Sequence, residues 1–329
     1  MLQIVQPTPQ REPASIALVG VPLELGSGVR GALMGPAALR TAGLAGLLEG
    51  LGHSVVDHGD LPAPPRAALT DENLRRCRSA EAVAGWTRAI HDHAYAIAGS
   101  GAVPIFLGGD HAISMGTVSG VARHCAEQGK RLVVLWLDAH ADYNTPATSP
   151  TGNMHGMSVA FLAGDPALAQ ILGDRPFGPL APDQIRLFGL RSVDAEERGR
   201  LAEHGIGSID MRAIDEFGVA ALMRDLIEEI AGPDTHLHVS LDIDFVDPSL
   251  APGVGTTVPG GATYREAHLV MEMLHDSGLV GSVDLVELNP FLDERGRSAV
   301  LMAELAASLF GRTVLARAPA ARPATVGVS

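Results

Sequence analysis

The chain has 329 residues, 46% hydrophobic and 19% charged, which is too apolar for a disordered protein and long enough to bury one large core or two modest ones. Its 24 basic and 38 acidic residues give a formal charge of −14, which repels nucleic acid and anionic lipid. The densest basic group, Arg75, Arg76 and Arg78, reads as a solvated helix face. Residues 94–109 form the most membrane-like uncharged stretch, but Gly99, Ser100, Gly101 and Pro104 interrupt it, and it falls short of the roughly 18–20 apolar residues a span needs. No basic-then-apolar leader follows Met1, and Cys77 and Cys125 show no paired metal-ligand spacing, so the expectation is a soluble, cytoplasmic protein in a reducing environment.

In chain order, apolar periodicity predicts a strand at 16–21, a helix at 36–48, a surface loop at 62–72 and a helix at 80–98. A strand at 103–107, a helix at 115–128, a strand at 132–137 and a loop at 145–152 follow. The remainder reads as strand 185–190, helix 219–230, strand 237–241, helix 264–275, strand 283–288 and helix 298–309. Such alternation predicts a three-layer α/β/α fold around a mostly parallel sheet, with ligands gathered at the carboxyl ends of the strands. There is no flexible linker and no fixed-period repeat, so residues 1–317 are read as one catalytic domain and 318–329 as a loose tail.

Three polar segments follow directly on predicted strands: Gly108-Gly109-Asp110-His111, Asp138-Ala139-His140-Ala141-Asp142 and Asp242-Ile243-Asp244. Singly, each has an ordinary explanation as a turn, a helix cap or a hydrogen-bonded structural histidine. Together they bring two imidazoles and at least four carboxylates to one sheet edge, and that many negative charges cannot share a confined site without a cation. The number of donors exceeds what one tetrahedral ion uses and suits a two-metal site; with oxygen donors dominant and no thiolate, Mn²⁺ is favoured over structural zinc. Two close divalent ions lower the pKa of a shared water from about 15.7 towards neutrality, which makes a hydrolytic nucleophile.

These motifs resemble the ureohydrolase family and within it are most similar to arginases. The resemblance also rests on Gly152-Asn153-Met154-His155-Gly156, Asp247-Pro248, Gly260-Gly261, Thr263-Tyr264-Arg265-Glu266 and Glu287-Leu288-Asn289-Pro290, and it spans roughly residues 15–312. It implies two Mn²⁺ per chain, one held by His111, Asp138, Asp142 and Asp242 and the other by His140, Asp138, Asp242 and Asp244; Asp110 stays open as a further donor. It implies attack of a metal-bridging hydroxide on a guanidinium carbon to release urea and an amine. Glu287 would orient the guanidinium and His155 would shuttle a proton, with Asp142 completing the expected catalytic set.

Asn144, Thr151 and Asn153 match positions that contact a substrate carboxylate, Asp194 and Glu197 those near an α-amino group, and Thr256 another position lining the site. A donor-rich cradle beside an acidic pair favours L-arginine, hydrolysed to L-ornithine and urea. The alternatives are a sister enzyme acting on agmatine, a guanidino acid or a formimino compound, and a non-catalytic metal-bound sensor, which would need no proton shuttle. Three positions depart from the family pattern: Thr151 stands where serine is commoner, Phe245 where glycine is common, and Thr257 where proline is usual. The Phe245 ring is expected to pack behind its strand. The resemblance further implies a small guanidino substrate as partner and a homo-oligomer, trimer or hexamer.

Overall fold

In the computed structural model, residues 13–315 are described. Eight strands, β1 (Ser15–Val21), β2 (Ser54–Asp60), β3 (Val103–Gly108), β4 (Arg131–Leu137), β5 (Ile185–Leu190), β6 (Gly207–Asp210), β7 (Thr235–Asp242) and β8 (Val280–Val286), form one sheet ordered β2-β1-β3-β8-β7-β4-β5-β6. Every pairing is parallel, and helices cover both faces, giving the expected three layers. Alternate side chains of a strand leave on opposite faces. Accordingly, Leu132, Val134 and Trp136 of β4 join one buried cluster, with the helices Ala80–Ala98 and Ser114–Glu127, while Val133, Leu135 and Leu137 join the other, with Tyr264–Ser277 and Arg297–Leu309. Burial on both faces is why β4 and its neighbours are near-continuous apolar runs.

The six strands expected from apolar runs are present within a few residues, and β2 and β6 join them at the two sheet edges. Neither edge strand contains a buried residue, so both lack the apolar run that marks the central ones. The single helix expected at 36–48 is two, Gly35–Thr41 and Leu44–Gly50, because Gly43 takes φ 84° and breaks the hydrogen-bond ladder. Strand β8 ends at Val286 rather than 288, since Glu287 turns out of the sheet at φ 62°. A helix at Ala195–His204 was not expected; its low hydrophobicity gives little periodic signal. The expected tail at 318–329 lies outside the described residues. No helix among the described residues is long and apolar enough to cross a membrane.

Strand register places the polar segments. Leu107, Leu285, Leu241 and Leu137 pair in one row across β3, β8, β7 and β4. Neighbouring strands lie about 4.8 Å apart, so Asp138 and Asp242, each the next residue after that row, emerge side by side at the carboxyl edge.

Candidate active site

The first of two acidic and imidazole groups is His111, Asp138 and Asp142; the second is Asp138, His140 and Asp244, so Asp138 belongs to both. His111 Nδ1 lies 3.0 Å from Asp138, 3.3 Å from Asp142 and 3.2 Å from Asp242, while His140 Nδ1 lies 2.9 Å from Asp244 and 3.4 Å from Asp138. Asp242 thus meets the first group through His111. The carboxylates are aimed by neighbouring donors: Trp136 Nε1 donates to Asp138 at 3.0 Å, the His140 amide to Asp138 at 2.6 Å, the Ala139 amide to Asp244 at 3.0 Å and the Asp244 amide to Asp242 at 2.8 Å. Trp136 also stacks flat on His111, with centroids 3.9 Å apart.

The donor set fits a divalent cation. His111 Nδ1 is buried without a hydrogen-bond partner, and three carboxylates ring it. Without a cation the cluster has to hold protons instead. Burial opposes charge on both imidazoles, but Asp138 outweighs it, with His111 pushed up to about 9 and, with help from Asp244, His140 to about 12. Burial and neighbouring aspartates, Asp138 for Asp142 and Asp244 for Asp242, push both carboxyls well above their ordinary range. A bound cation would take the place of those protons.

Asp110, the donor that sequence left open, is fully buried but turned elsewhere. It accepts the amides of Gly26, Ser27 and Ala112 at 2.7, 2.9 and 3.1 Å and so ties the loop after β1 to the end of β3. The chains come so close here that a Cβ on Gly109 would stand 1.7 Å from the Leu23 carbonyl oxygen, which requires glycine.

Glu287 and His155 meet directly. His155 Nδ1 donates to Glu287 Oε1 at 2.8 Å, and the same oxygen accepts the His111 amide at 2.7 Å. Burial opposes both charges, but each partner outweighs it for the other, so the carboxyl is held below its ordinary range and the imidazole above it. Asp142 and Glu287 both adopt left-handed backbone conformations, φ 48° and 62°. For a non-glycine residue that costs about 1–3 kcal/mol and persists only where the surroundings impose it.

A cavity of about 280 Å³ brings these groups together with the expected substrate contacts. His140, Asp142, Asp242, Asp244, His155 and Glu287 line it, and so do Asn144, Thr151, Asn153, Asp194, Glu197 and Thr256. His111 and Asp138 lie behind the lining, almost fully buried, whereas Thr151 and Thr256 are exposed. Asn144 donates to Asp194 at 3.0 Å, and Glu197 accepts the amides of Asp194 and Tyr143 at 3.0 and 2.8 Å, which joins the two halves of the cradle.

Several supporting residues carried no distinct sequence signal. Arg78, grouped by sequence with a solvated helix face, donates from Nε to the Thr151 carbonyl at 3.2 Å, and its amide donates to Gly152 at 2.9 Å. Arg191 donates to the Val258 carbonyl and to the Asp244 carbonyl, bracing the segment that carries Thr256. Phe245 packs as expected: it is fully buried against Phe188, ring centroids 6.2 Å apart, and points away from the cavity. Thr257 is exposed and lies outside the cavity lining. Asp247 accepts the amides of Gly260 and Gly261 at 2.8 and 3.2 Å, and Thr263 and Glu266 cap a helix, so those motif residues hold backbone rather than substrate.

The Arginase family model matches residues 14–311. An arginase of Agrobacterium fabrum is 50% identical over 309 residues, covering 94% of each chain. The crystal structure of the Bacillus caldovelox arginase superposes with a TM-score of 0.84 at 41% identity, over 92% of this chain and 100% of that one. An Entamoeba histolytica arginase solved in complex with L-ornithine gives 0.80 at 28% identity, over 93% and 100%. Half identity along nearly the full length of both chains, and a family match that takes in every strand of the sheet, make this chain a member of the arginase family, metal-dependent hydrolases of the guanidino group.

Proposed function

We propose that the protein hydrolyses L-arginine to L-ornithine and urea with two Mn²⁺ per chain. The observation that carries this reading is the single cavity in which the acidic and imidazole cluster, the His155–Glu287 pair and a cradle of Asn144, Thr151, Asn153, Asp194 and Glu197 face one space. His111, Asp138, Asp142 and Asp242 would hold one ion, and His140, Asp138, Asp242 and Asp244 the other. When bound, the pair would lower the pKa of water held there and so supply hydroxide at neutral pH.

The remaining work falls to the chain's own side chains. Glu287, kept ionised beside His155, neutralises and orients the planar guanidinium. His155, held protonated to higher pH by Glu287, delivers a proton to the departing amine. Asn144, Thr151 and Asn153 offer donors to the α-carboxylate, and Asp194 and Glu197 offer acceptors to the α-amino group. A cytoplasmic homo-oligomer, trimer or hexamer, completes the proposal; two buried, unpaired cysteines are compatible with a reducing compartment.

The test is urea release by Mn²⁺-loaded protein from L-arginine, agmatine and several guanidino acids. L-arginine is expected to give by far the fastest release. Equal or faster release from agmatine would move the assignment to the sister activity, and no urea from any guanidine would overturn hydrolysis itself.

A further inference from the structure

The face of the sheet under the helix Ser114–Glu127 is apolar except at its centre, where β7 and β8 present His238, Ser240, Ser282 and Asp284. All four are fully buried, as are Ser114 and Thr117 on the helix above. A buried carboxylate with no catalytic contact is costly unless its partners compensate. Here they do. Ser114 and Thr117 donate to Asp284 Oδ2 at 2.6 and 2.7 Å, and His238 Nε2 lies 3.2 Å from the same oxygen. Burial opposes the charge, but His238 and the two hydroxyls outweigh it and hold the carboxyl below its ordinary range.

The hydrogen bonds leading from Asp284 to the active site have only one consistent direction. Ser114 has a single hydroxyl proton, and Asp284 takes it, so Ser114 can only accept from Ser240, whose oxygen lies 3.4 Å away. With its proton committed to Ser114, Ser240 must accept from the other neighbour, His111 Nε2, at 2.8 Å. Neutral His111, the form that binds a cation, therefore carries its proton on Nε2 and offers the lone pair of Nδ1, the atom ringed by Asp138, Asp142 and Asp242.

We propose that Asp284 is a positioning residue, which acts through Ser114 and Ser240 to fix the tautomer of His111 and aim its Nδ1 at the cation site. The inference rests on the reading of that cluster as a metal site. It gives a reason for a charged residue in the buried polar group at the centre of this sheet face. Thr117 serves as an internal control, because it shares Asp284 without lying on the path to His111.

The experiment measures Mn²⁺ binding to the full-length protein by chelator competition, together with thermal melting of the metal-free form. Wild-type protein that takes up no Mn²⁺ would sink the metal-site reading itself. Given wild-type binding, Asp284→Asn and Ser114→Ala are expected to weaken the His111 site by about 10- to 100-fold, the usual effect of removing an outer partner of a metal-bound histidine. Ser114→Thr, which keeps the hydroxyl, should restore affinity, and Thr117→Val should leave it unchanged. Should Asp284→Asn fail to fold, the two Ser114 variants and Thr117→Val decide the matter. Unchanged affinity in Ser114→Ala, or an equal loss in Thr117→Val, would overturn the proposal and leave Asp284 as a packing element only.

Discussion

Asp138 can be picked out as a chemistry-bearing residue because it directly follows an apolar strand, and His111 because it is the third residue beyond one; their mutual distance cannot. Even less visible is the pairing of His155 with Glu287, 132 positions apart, at 2.8 Å. That contact argues for a specific outcome. Replacing His155 with Ala removes the proposed proton donor and leaves Glu287 Oε1 with only the His111 amide, while the cluster that would hold metal is untouched. Turnover of L-arginine is expected to fall by about 10²–10⁴-fold, the range for a lost general acid–base group, with metal content unchanged by elemental analysis. Turnover equal to wild type would remove His155 from the mechanism. The backbone conformations of Asp142 and Glu287 also appear only in three dimensions, since an Asp takes a positive φ only occasionally and a Glu seldom.

The loop read from its Pro, Thr and Ser content at 145–152 contributes Thr151 to the cavity lining and is flanked by Asn144 and Asn153, and what holds it is a contact that sequence did not single out. Arg78 reaches across to Thr151 and Gly152, so its guanidinium anchors a loop that lines the cavity. Arg78→Gln removes that side-chain bond, worth about 0.5–1.5 kcal/mol net. Steady-state kinetics on L-arginine are therefore expected to show KM raised about two- to tenfold with kcat much less affected. A fall in kcat at constant KM would place Arg78 in the chemistry instead. The edge strands β2 and β6 are illegible in the sequence for the converse reason: pairing with a neighbour makes them strands, not an apolar signature of their own.

Across the whole molecule, burial of histidines gives the fold a pH dependence separate from the active site. Burial lowers His91 to about 4 and His236 to about 3, from an ordinary 6.5. Both remain neutral in the folded protein where the unfolded chain protonates them. Their contribution to stability is therefore complete above about pH 6.5 and is lost as pH falls towards the folded values. Thermal melting followed from pH 7 to pH 4.5 is expected to show a smaller loss for His91→Gln than for wild type. Parallel curves would mean that His91 titrates alike in both states. His91 sits between two packed helices, with Nδ1 2.9 Å from Ser119 Oγ, and the attraction of the neighbouring Asp92 carboxylate does not offset the cost of burying its charge.

Sequence alone determined the layered parallel architecture, because strands buried on both faces must be apolar throughout and their polar continuations must gather at one edge. It also supplied the chemical character of the site, since donor types are written residue by residue. Tertiary structure decided what depends on register and strand order: that β3, β8, β7 and β4 stand together, that Asp138 and Asp242 emerge side by side, that Asp110 turns to a loop, and that Asp284 lies beneath His111's hydroxyl partners. Local periodicity reports burial, whereas proximity between distant segments is set by how the strands pair.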